Sequence, residues 1–181
     1  MASIIKVNEY KDFGNNAIMT SDGSGVVTVN AIGLTMKPAF FAYKSGTQSL
    51  SHNTQTTLTY DSTDYNTDSF WDTSTNKATI PSGQDGKYFF YGCTMGTMGE
   101  AVTVWKQQIN KNGSYVQQIY DNNGNSEYQG VSFTYSGDFS AGDYFEFSLL
   151  GQATDGGGTV TVLGASGQRY TYVGGYKLTG A

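Results

Sequence analysis

The chain has 181 residues, of which 14% are aromatic and only 14% are charged, and it contains 24 glycines but 2 prolines. This length suits one domain with a sizeable core and a short extension. The composition is typical of β-sheet proteins, whose strands favour aromatic and β-branched residues and whose turns favour small polar ones. No stretch has the apolar periodicity of a helix, so an α-helical fold is excluded.

The charge pattern and the cysteine content exclude further classes of protein. The net charge is −5 and the 10 Lys and Arg residues are scattered, which disfavours a nucleic-acid partner. Cys93 is the only cysteine, so no intrachain disulfide forms and no oxidising compartment is implied. The opening residues lack the apolar core of a signal peptide, and no run approaches membrane-spanning length. We therefore expect a protein made in a cytoplasm, without a membrane partner.

Residues 1–37 are predicted to form an N-terminal arm. It contains short apolar runs separated by a turn-forming Ser-Asp-Gly-Ser-Gly stretch at 21–25. The runs are too short and too widely spaced to build a core of their own. We expect them to attach the protein to a partner by strand addition, although a disordered leader with one extra strand is the alternative. The predicted anchoring residues are Ile4, Ile5, Val7, Ile18, Val27 and Val29.

The main domain is predicted to span residues 38–181 and to contain about ten strands with regularly spaced turns, which indicates a sandwich or jelly roll. Asn112-Gly113 lies between two apolar runs and predicts a tight hairpin. In 144–150 the residues alternate, with Phe145, Phe147 and Leu149 predicted to point inward. The predicted strands are 39–43, 55–60, 78–80, 87–93, 101–110 (one strand, or a pair at 101–105 and 107–110), 115–120, 131–135, 144–150, 159–163 and 169–178.

The segment 87–93 is the most informative strand because it contains four consecutive aromatic residues. Side chains alternate across a strand, so Tyr88 and Phe90 point one way while Phe89 and Tyr91 point the other. A sheet of a sandwich has only one inner face to bury. The second aromatic face therefore needs another cover, and a neighbouring subunit is the simplest source.

Residues suited to catalysis or to metal binding are sparse. His52 is the only histidine and lies in a turn-like segment, where we expect it to be solvated, and Cys93 is expected to behave as a small hydrophobe. With one residue of each type, neither a nucleophile–base pair nor a zinc cluster is predicted, and no cofactor is implied. Two acidic groups have oxygen ligands at spacings that suit calcium, but turn formation is the favoured interpretation. These groups are Asp61, Asp64, Asn66 and Asp68, and Asp121, Asn123, Asn125 and Glu127.

Several motifs together resemble the C1q/TNF-like jelly-roll family over about residues 38–178. The main motif is Gly86-x-Tyr88-x-Phe90, and Ala78 departs from the family because it stands where a Phe is usual. The other matching positions are Tyr60, Asn66, Trp71-Asp72-x-x-Thr75, Pro81, Ile109–Gly113, Ala141–Tyr144 and Tyr172-x-Gly174-Gly175-Tyr176-x-Leu178. The resemblance implies an all-β antiparallel sandwich of jelly-roll topology that assembles as a homotrimer. It also implies that Tyr88, Phe90 and Tyr176 pack near the threefold axis.

The start of the arm is similar to the leaders of structural proteins in tailed phages of marine and cyanobacterial hosts. This second resemblance depends on the Met-Ala-Ser-Ile-Ile-Lys-Val opening and on the turn at 21–25. Together the two resemblances imply a non-enzymatic virion protein on the outer surface of the particle. The expected form is a trimeric capsid decoration (cement) protein or head fibre, joined through its arm to the major capsid protein or another virion protein.

The sequence leaves two other functions open. The domain could be the receptor-binding knob of a tail fibre, with loops that recognise a host surface glycan or protein. A secreted ligand of the C1q/TNF type is disfavoured because the sequence has neither a signal peptide nor a collagen-like repeat. An enzyme is the least expected class.

Overall fold

The computed structural model separates into two compact units, Met1–Met36 and Lys37–Ala181. This division falls one residue before the predicted boundary between arm and domain. Whether the first unit acts as an arm stays a prediction. The structure describes residues 9–29, 36–99, 101–121, 128–153 and 159–180.

The first unit contains a small antiparallel sheet in the order β1-β2-β3, made of β1 (Glu9–Lys11), β2 (Ala17–Ser21) and β3 (Val27–Val29). Its turns are closed by aspartates. Asp12 accepts a hydrogen bond from the backbone N–H of Asn16 at 2.9 Å, and Asp22 accepts one from that of Ser24 at 2.8 Å. These are the side-chain-to-backbone bonds for which Asp is favoured in turns.

The second unit is a sandwich of two antiparallel sheets. One sheet has the order β5-β15-β10-β16-β4-β7. Within it, β15 and β16 pair with successive parts of one edge of β10, and β13 pairs with the opposite edge. The facing sheet has the order β12-β11-β14-β9-β8, and β6 also pairs with β14. The strands are β4 (Ala39–Tyr43), β5 (Gln48–Ser51), β6 (Thr56–Thr57), β7 (Ser62–Asn66), β8 (Trp71–Asp72), β9 (Lys77–Thr79), β10 (Gly86–Thr97), β11 (Val102–Lys111), β12 (Ser114–Asp121), β13 (Tyr128–Phe139), β14 (Tyr144–Ala153), β15 (Thr159–Val162) and β16 (Tyr172–Gly180).

Aromatic side chains from both sheets fill the space between them. Phe90 of β10 stacks on Phe145 of β14 with ring centroids 4.3 Å apart and planes inclined by 14°. Phe147 lies edge-on to Tyr60, and both are fully buried, as is Leu149. The inward orientation predicted for alternate residues of β14 is confirmed, and so is the all-β antiparallel sandwich.

Some predicted strands differ from the observed ones. Of the two alternatives for 101–105 and 107–110, the single strand is the one observed, as β11. Only Thr56–Thr57 of the predicted 55–60 pairs with another strand. Strand β7 was not predicted because its sequence, Ser-Thr-Asp-Tyr-Asn, has no apolar alternation. It pairs only with β4 at the sheet edge, where no face of it needs to be apolar.

The predicted Asn112-Gly113 hairpin is confirmed between β11 and β12. Both residues have positive φ, 52° and 78°, as a two-residue turn of this kind requires. A carboxylate from the β13–β14 loop holds this hairpin. Asp143 receives a hydrogen bond from Asn112 Nδ2 at 2.7 Å and an ion pair from Lys111 Nζ at 2.8 Å.

We expect Asp143 to make folding stability depend on pH in the acid range. Burial opposes the charged carboxylate, but hydrogen bonds from Lys111, Asn112 and the Ser140 N–H outweigh it and lower the pKa of Asp143 from 3.8 to about 2. Because the folded-state pKa is below the unfolded one, the stabilisation is complete above about pH 4 and is lost as the pH falls toward 2. After screening by solvent it amounts to about 1 kcal/mol.

Denaturant melts of Asp143→Asn between pH 2 and pH 7 measure this effect. The variant should be less stable than the parent at pH 7 and should lose less stability on acidification. The exposed Asp138→Asn is the matched control and should keep the parent's pH dependence. Parallel curves for parent and Asp143→Asn would contradict the assignment.

Candidate functional site: an aromatic sheet face

The register of four neighbouring strands brings large aromatic residues onto the outer face of the β10 sheet. Tyr91 of β10 lies opposite Gly174 of β16, Gly174 lies opposite Phe41 of β4, and Phe41 lies opposite Tyr65 of β7. Directly paired residues project to the same side of a sheet. These residues therefore form one continuous row across the strands.

Flanking rows extend this surface on both sides. Phe89 lies opposite Tyr176 in one row, and Cys93 lies opposite Tyr172 in the other. Tyr172 in turn lies opposite Tyr43 of β4. We call the resulting surface the outer aromatic face; Tyr43 lies at its edge beneath Arg169, and its other large members are Phe41, Tyr65, Phe89, Tyr91, Tyr172 and Tyr176.

The rings of this face contact one another. Phe41 stacks on Tyr172 at 5.3 Å between centroids and lies 6.4 Å from Tyr91. Phe89 stands 5.6 Å from Tyr176. Rings at such spacings gain energy beyond area burial, so they order each other before any partner arrives.

Gly174 makes this arrangement possible because Tyr91 lies across it. A Cβ at this position would stand 2.5 Å from the Tyr91 ring and 2.6 Å from its hydroxyl. The adjacent Gly175 faces the core, where a Cβ would stand 2.6 Å from Phe90. The Gly-Gly pair therefore accepts one aromatic ring on each side of the sheet.

The face is uncharged yet partly open to solvent. Tyr65 is 46% exposed, and the other large members are half-buried. The Tyr65 and Tyr91 hydroxyls are 3.3 Å apart. Burial, and then this hydrogen bond, raise the pKa of Tyr91 well above its usual value, so its phenol stays neutral at physiological pH.

A charged group borders the face. The Arg169 guanidinium lies 3.5 Å from the centroid of the Tyr43 ring and pairs with Asp64 at 2.6 Å. The hydrogen bond from Arg169 lowers the pKa of Asp64. An apolar centre with a polar border is the pattern of protein–protein interfaces.

The outer face of the opposite sheet has a different character. Its positions on β11 and β14 include Gln108 opposite Ser148 and Asn110 opposite Glu146, and Lys106 lies between Leu150 and the exposed Tyr120 of β12. A mixed surface with polar residues is what a sheet face in water normally presents. The outer aromatic face differs from it because its large aromatic residues are contiguous.

The structure corrects two of the three residues predicted at the threefold axis. Tyr88 and Phe90 are 0% exposed in the single chain, because both point between the two sheets, and they have no surface left for a partner. Tyr176 does lie on the outer aromatic face. Phe89 and Tyr91, the opposite set of the same strand, lie on this face but were not among the predicted residues. Phe41 and Tyr172 could have been found from the sequence in the same way, because both are aromatic residues in predicted strands. Tyr65 could not, because it lies in no predicted strand.

Three of the predicted anchoring residues lie in the described part of the first unit. Val27 and Val29 are in β3 and Ile18 is in β2. The others, Ile4, Ile5 and Val7, lie outside the described residues.

The first acidic group is occupied by local contacts. Asp61 accepts hydrogen bonds from the backbone and the hydroxyl of Ser45, at 2.7 and 3.0 Å. Asn66 bonds the Trp71 backbone through both ends of its amide. Asn123, Asn125 and Glu127 of the second group lie outside the described residues. Within the described ranges, no cluster of three or more His, Cys, Asp or Glu residues is placed to hold a metal ion.

His52 and Cys93 are both placed differently from what the sequence predicts. His52 is half-buried, and its Nε2 accepts a hydrogen bond from the backbone N–H of Ala153 at 3.0 Å, so it is a structural residue and not a solvated one. Cys93 lies in the middle of β10 on the outer aromatic face, half-buried. Across the described segments, no helix is long and apolar enough to span a membrane.

Comparison with known proteins identifies the fold. No family model matches the sequence, and no curated protein matches it significantly. Among solved structures, the globular domain of zebrafish complement 1qA protein matches with a TM-score of 0.57 and 14% identity, over 80% of this chain and 100% of that one. The TNF Eiger from S. frugiperda matches with a TM-score of 0.57 and 12% identity, over 79% and 93%. Murine APRIL matches with a TM-score of 0.58 and 10% identity, over 77% and 98%. The chain therefore has a C1q/TNF-like jelly-roll fold, as its motifs imply.

A methyl group at residue 174 tests the geometry of the outer aromatic face. Gly174→Ala should displace the Tyr91 ring and lower the free energy of unfolding by about 1–3 kcal/mol, the usual cost of overpacking. Gly46→Ala is the matched control, since a Cβ there meets nothing within 4 Å. Denaturant melts of both variants measure the difference. Equal stabilities would show that Tyr91 does not lie over Gly174.

Proposed function

We propose that this protein is a homotrimer in which the outer aromatic face of each subunit packs around a threefold axis. The observation that supports this most is the continuous row of incompletely buried aromatic side chains across four neighbouring strands of one sheet face. Monomeric proteins seldom expose contiguous apolar patches of this kind. The C1q/TNF-like motifs and fold also favour a threefold assembly.

The energetics agree with a stable trimer. Burying a large aromatic side chain contributes roughly 1.5–3 kcal/mol, and the face of each subunit has, besides Tyr43 at its edge, six that are incompletely buried. The ring stacking within the face limits the entropy lost on association, because these side chains are already ordered by one another. The neutral tyrosines of the centre avoid the desolvation of charge that would oppose packing.

We propose further that the trimer is a non-enzymatic structural protein of a tailed-phage virion, displayed on the outer surface of the particle. The favoured form is a capsid decoration (cement) protein or a head fibre. The resemblance of the first residues to phage leaders supports this role. In it, the first unit joins the major capsid protein or another virion protein, and the protein is made in the host cytoplasm.

A receptor-binding knob is the second candidate, and exposed tyrosines favour it. Tyr115 and Tyr120 of β12, in the opposite sheet, are more than half exposed. Tyr128 of β13 is also more than half exposed, on the same side of its sheet as Tyr91. Tyrosine offers a flat apolar surface with a hydroxyl, which suits a host glycan or protein. Quantitative mass spectrometry of virions separates the two candidates: hundreds of copies per particle indicate the capsid, and about a dozen indicate a tail.

The trimer is tested by a charge on the outer aromatic face. The parent protein should sediment as a trimer at micromolar concentration, whereas Phe89→Glu should sediment as a folded monomer because three buried carboxylates would meet near the axis. Gln108→Glu places the same charge on the opposite polar face and should remain trimeric. Sedimentation of the parent as a stable monomer would overturn the proposal.

Attachment is tested by truncation. Protein lacking residues 2–30 should remain a folded trimer, because the sandwich has its own core, but it should no longer bind to particles. Binding is measured by mixing the truncated or full-length protein with particles that lack it and counting copies after sedimentation. Full occupancy by the truncated protein would assign attachment to the sandwich instead.

A further inference from the structure

The small sheet of the first unit has two chemically different sides. Its register pairs Met19 with Tyr10 on one neighbour and with Val29 on the other. The next position pairs Thr20 with Glu9 and Thr28 in the same way. Since paired residues project to one side, an apolar side alternates with a polar side along all three strands.

The apolar side consists of Tyr10, Met19, Val27 and Val29, together with the small polar Ser21 opposite Val27, and it is open. Tyr10 is 59% exposed and Val27 is 55% exposed. None of the residues of β1, β2 and β3 is buried. An apolar side left open to water is unfavourable and is typical of a surface that binds a partner. Ile18, predicted as an anchoring residue, lies on the polar side by the same alternation.

We propose that the apolar side of this sheet is covered by the same side of the two sister copies, so that three small sheets enclose a second, separate apolar core. This inference rests on the proposed homotrimer. The apolar side contains no charged residue, which is what three identical surfaces meeting one another require, because any charge there would face its own copies. Glu9, which forms an ion pair with Lys11 at 3.0 Å, lies on the polar side opposite Thr20.

Chain connectivity explains why so small a surface is sufficient. Residues 30–38 lead from β3 directly into β4, the strand that contributes Phe41 to the proposed trimer interface. In a trimer, three copies of the sheet are tethered to one assembly, at an effective concentration on the order of millimolar. A weak apolar contact is populated at that concentration, although it would not hold free chains together.

The arrangement separates two roles within the first unit. Among the described strands, β1 and β3 are the edges of the small sheet, each paired on one side only with β2. Backbone groups at such edges accept an added strand. The apolar side would then hold sister copies together while the edges remain available to a virion protein.

Site-specific cross-linking tests this inference. Cys93→Ser removes the native thiol, and Val29→Cys and Thr28→Cys then place single thiols on adjacent residues of opposite sides. A short bis-maleimide added to the isolated full-length protein should link Val29→Cys subunits to each other about tenfold more than Thr28→Cys subunits, because only the first thiols meet at high effective concentration. Met19→Cys and Thr20→Cys repeat the comparison on β2.

The outcomes distinguish this inference from the proposal beneath it. A protein that sediments as a trimer but cross-links equally through both sides, or through neither, overturns the covered apolar side and leaves the trimer intact. Val29→Cys that reacts freely with a monofunctional maleimide in isolated trimers, and is protected only in particles, assigns the cover to a virion protein and also overturns it. A monomeric parent protein overturns the proposed trimer itself.

Discussion

The structure depends on one strand that has aromatic side chains on both faces. Inside the sandwich, Phe90 of β10 stacks on Phe145 of the opposite sheet, and this contact joins the two layers. On the outside, the neighbouring residues of β10 extend an aromatic surface that the single chain does not bury. A sheet in a sandwich has only one inner face, so the outer aromatic set of this strand lies outside the core of the sandwich.

Strand β16 shows how the neighbours adapt to that strand. Its Gly174 and Gly175 leave room for a ring on each side, while Tyr172 and Tyr176 enlarge the outer surface around Tyr91. The glycines lower the intrinsic strand propensity. This loss of strand propensity is offset because the glycines let aromatic rings approach the backbone closely. The two glycines are therefore explained by the packing of the sheet and not by local propensity.

Much of the sandwich could be predicted from the alternation of side chains and from turn chemistry. Which face of the strand at 87–93 enters the core could not. The opposite orientations of Tyr88 and Tyr91 follow from the period of a strand, and the turn at Asn112 follows from its backbone preference. Because both faces of 87–93 are aromatic, hydrophobicity alone does not say which one enters the core, and the residues chosen for the interface were largely the buried ones. Tyr65 lies in an edge strand with no apolar pattern, so only its pairing with β4 places it on the face.

The glycines also have a consequence for how the chain finds its register. A one-residue slip of a strand normally moves apolar residues to the wrong face and is penalised for it. In β10 that penalty is weak, since a slip would exchange one aromatic set for another. Gly92 and Gly96 restore the discrimination, because the rings of Phe133 and Trp105 occupy the places where their side chains would be. A slipped alignment of β10 would bring larger side chains against these rings, so steric exclusion adds to the hydrophobic preference for the native register.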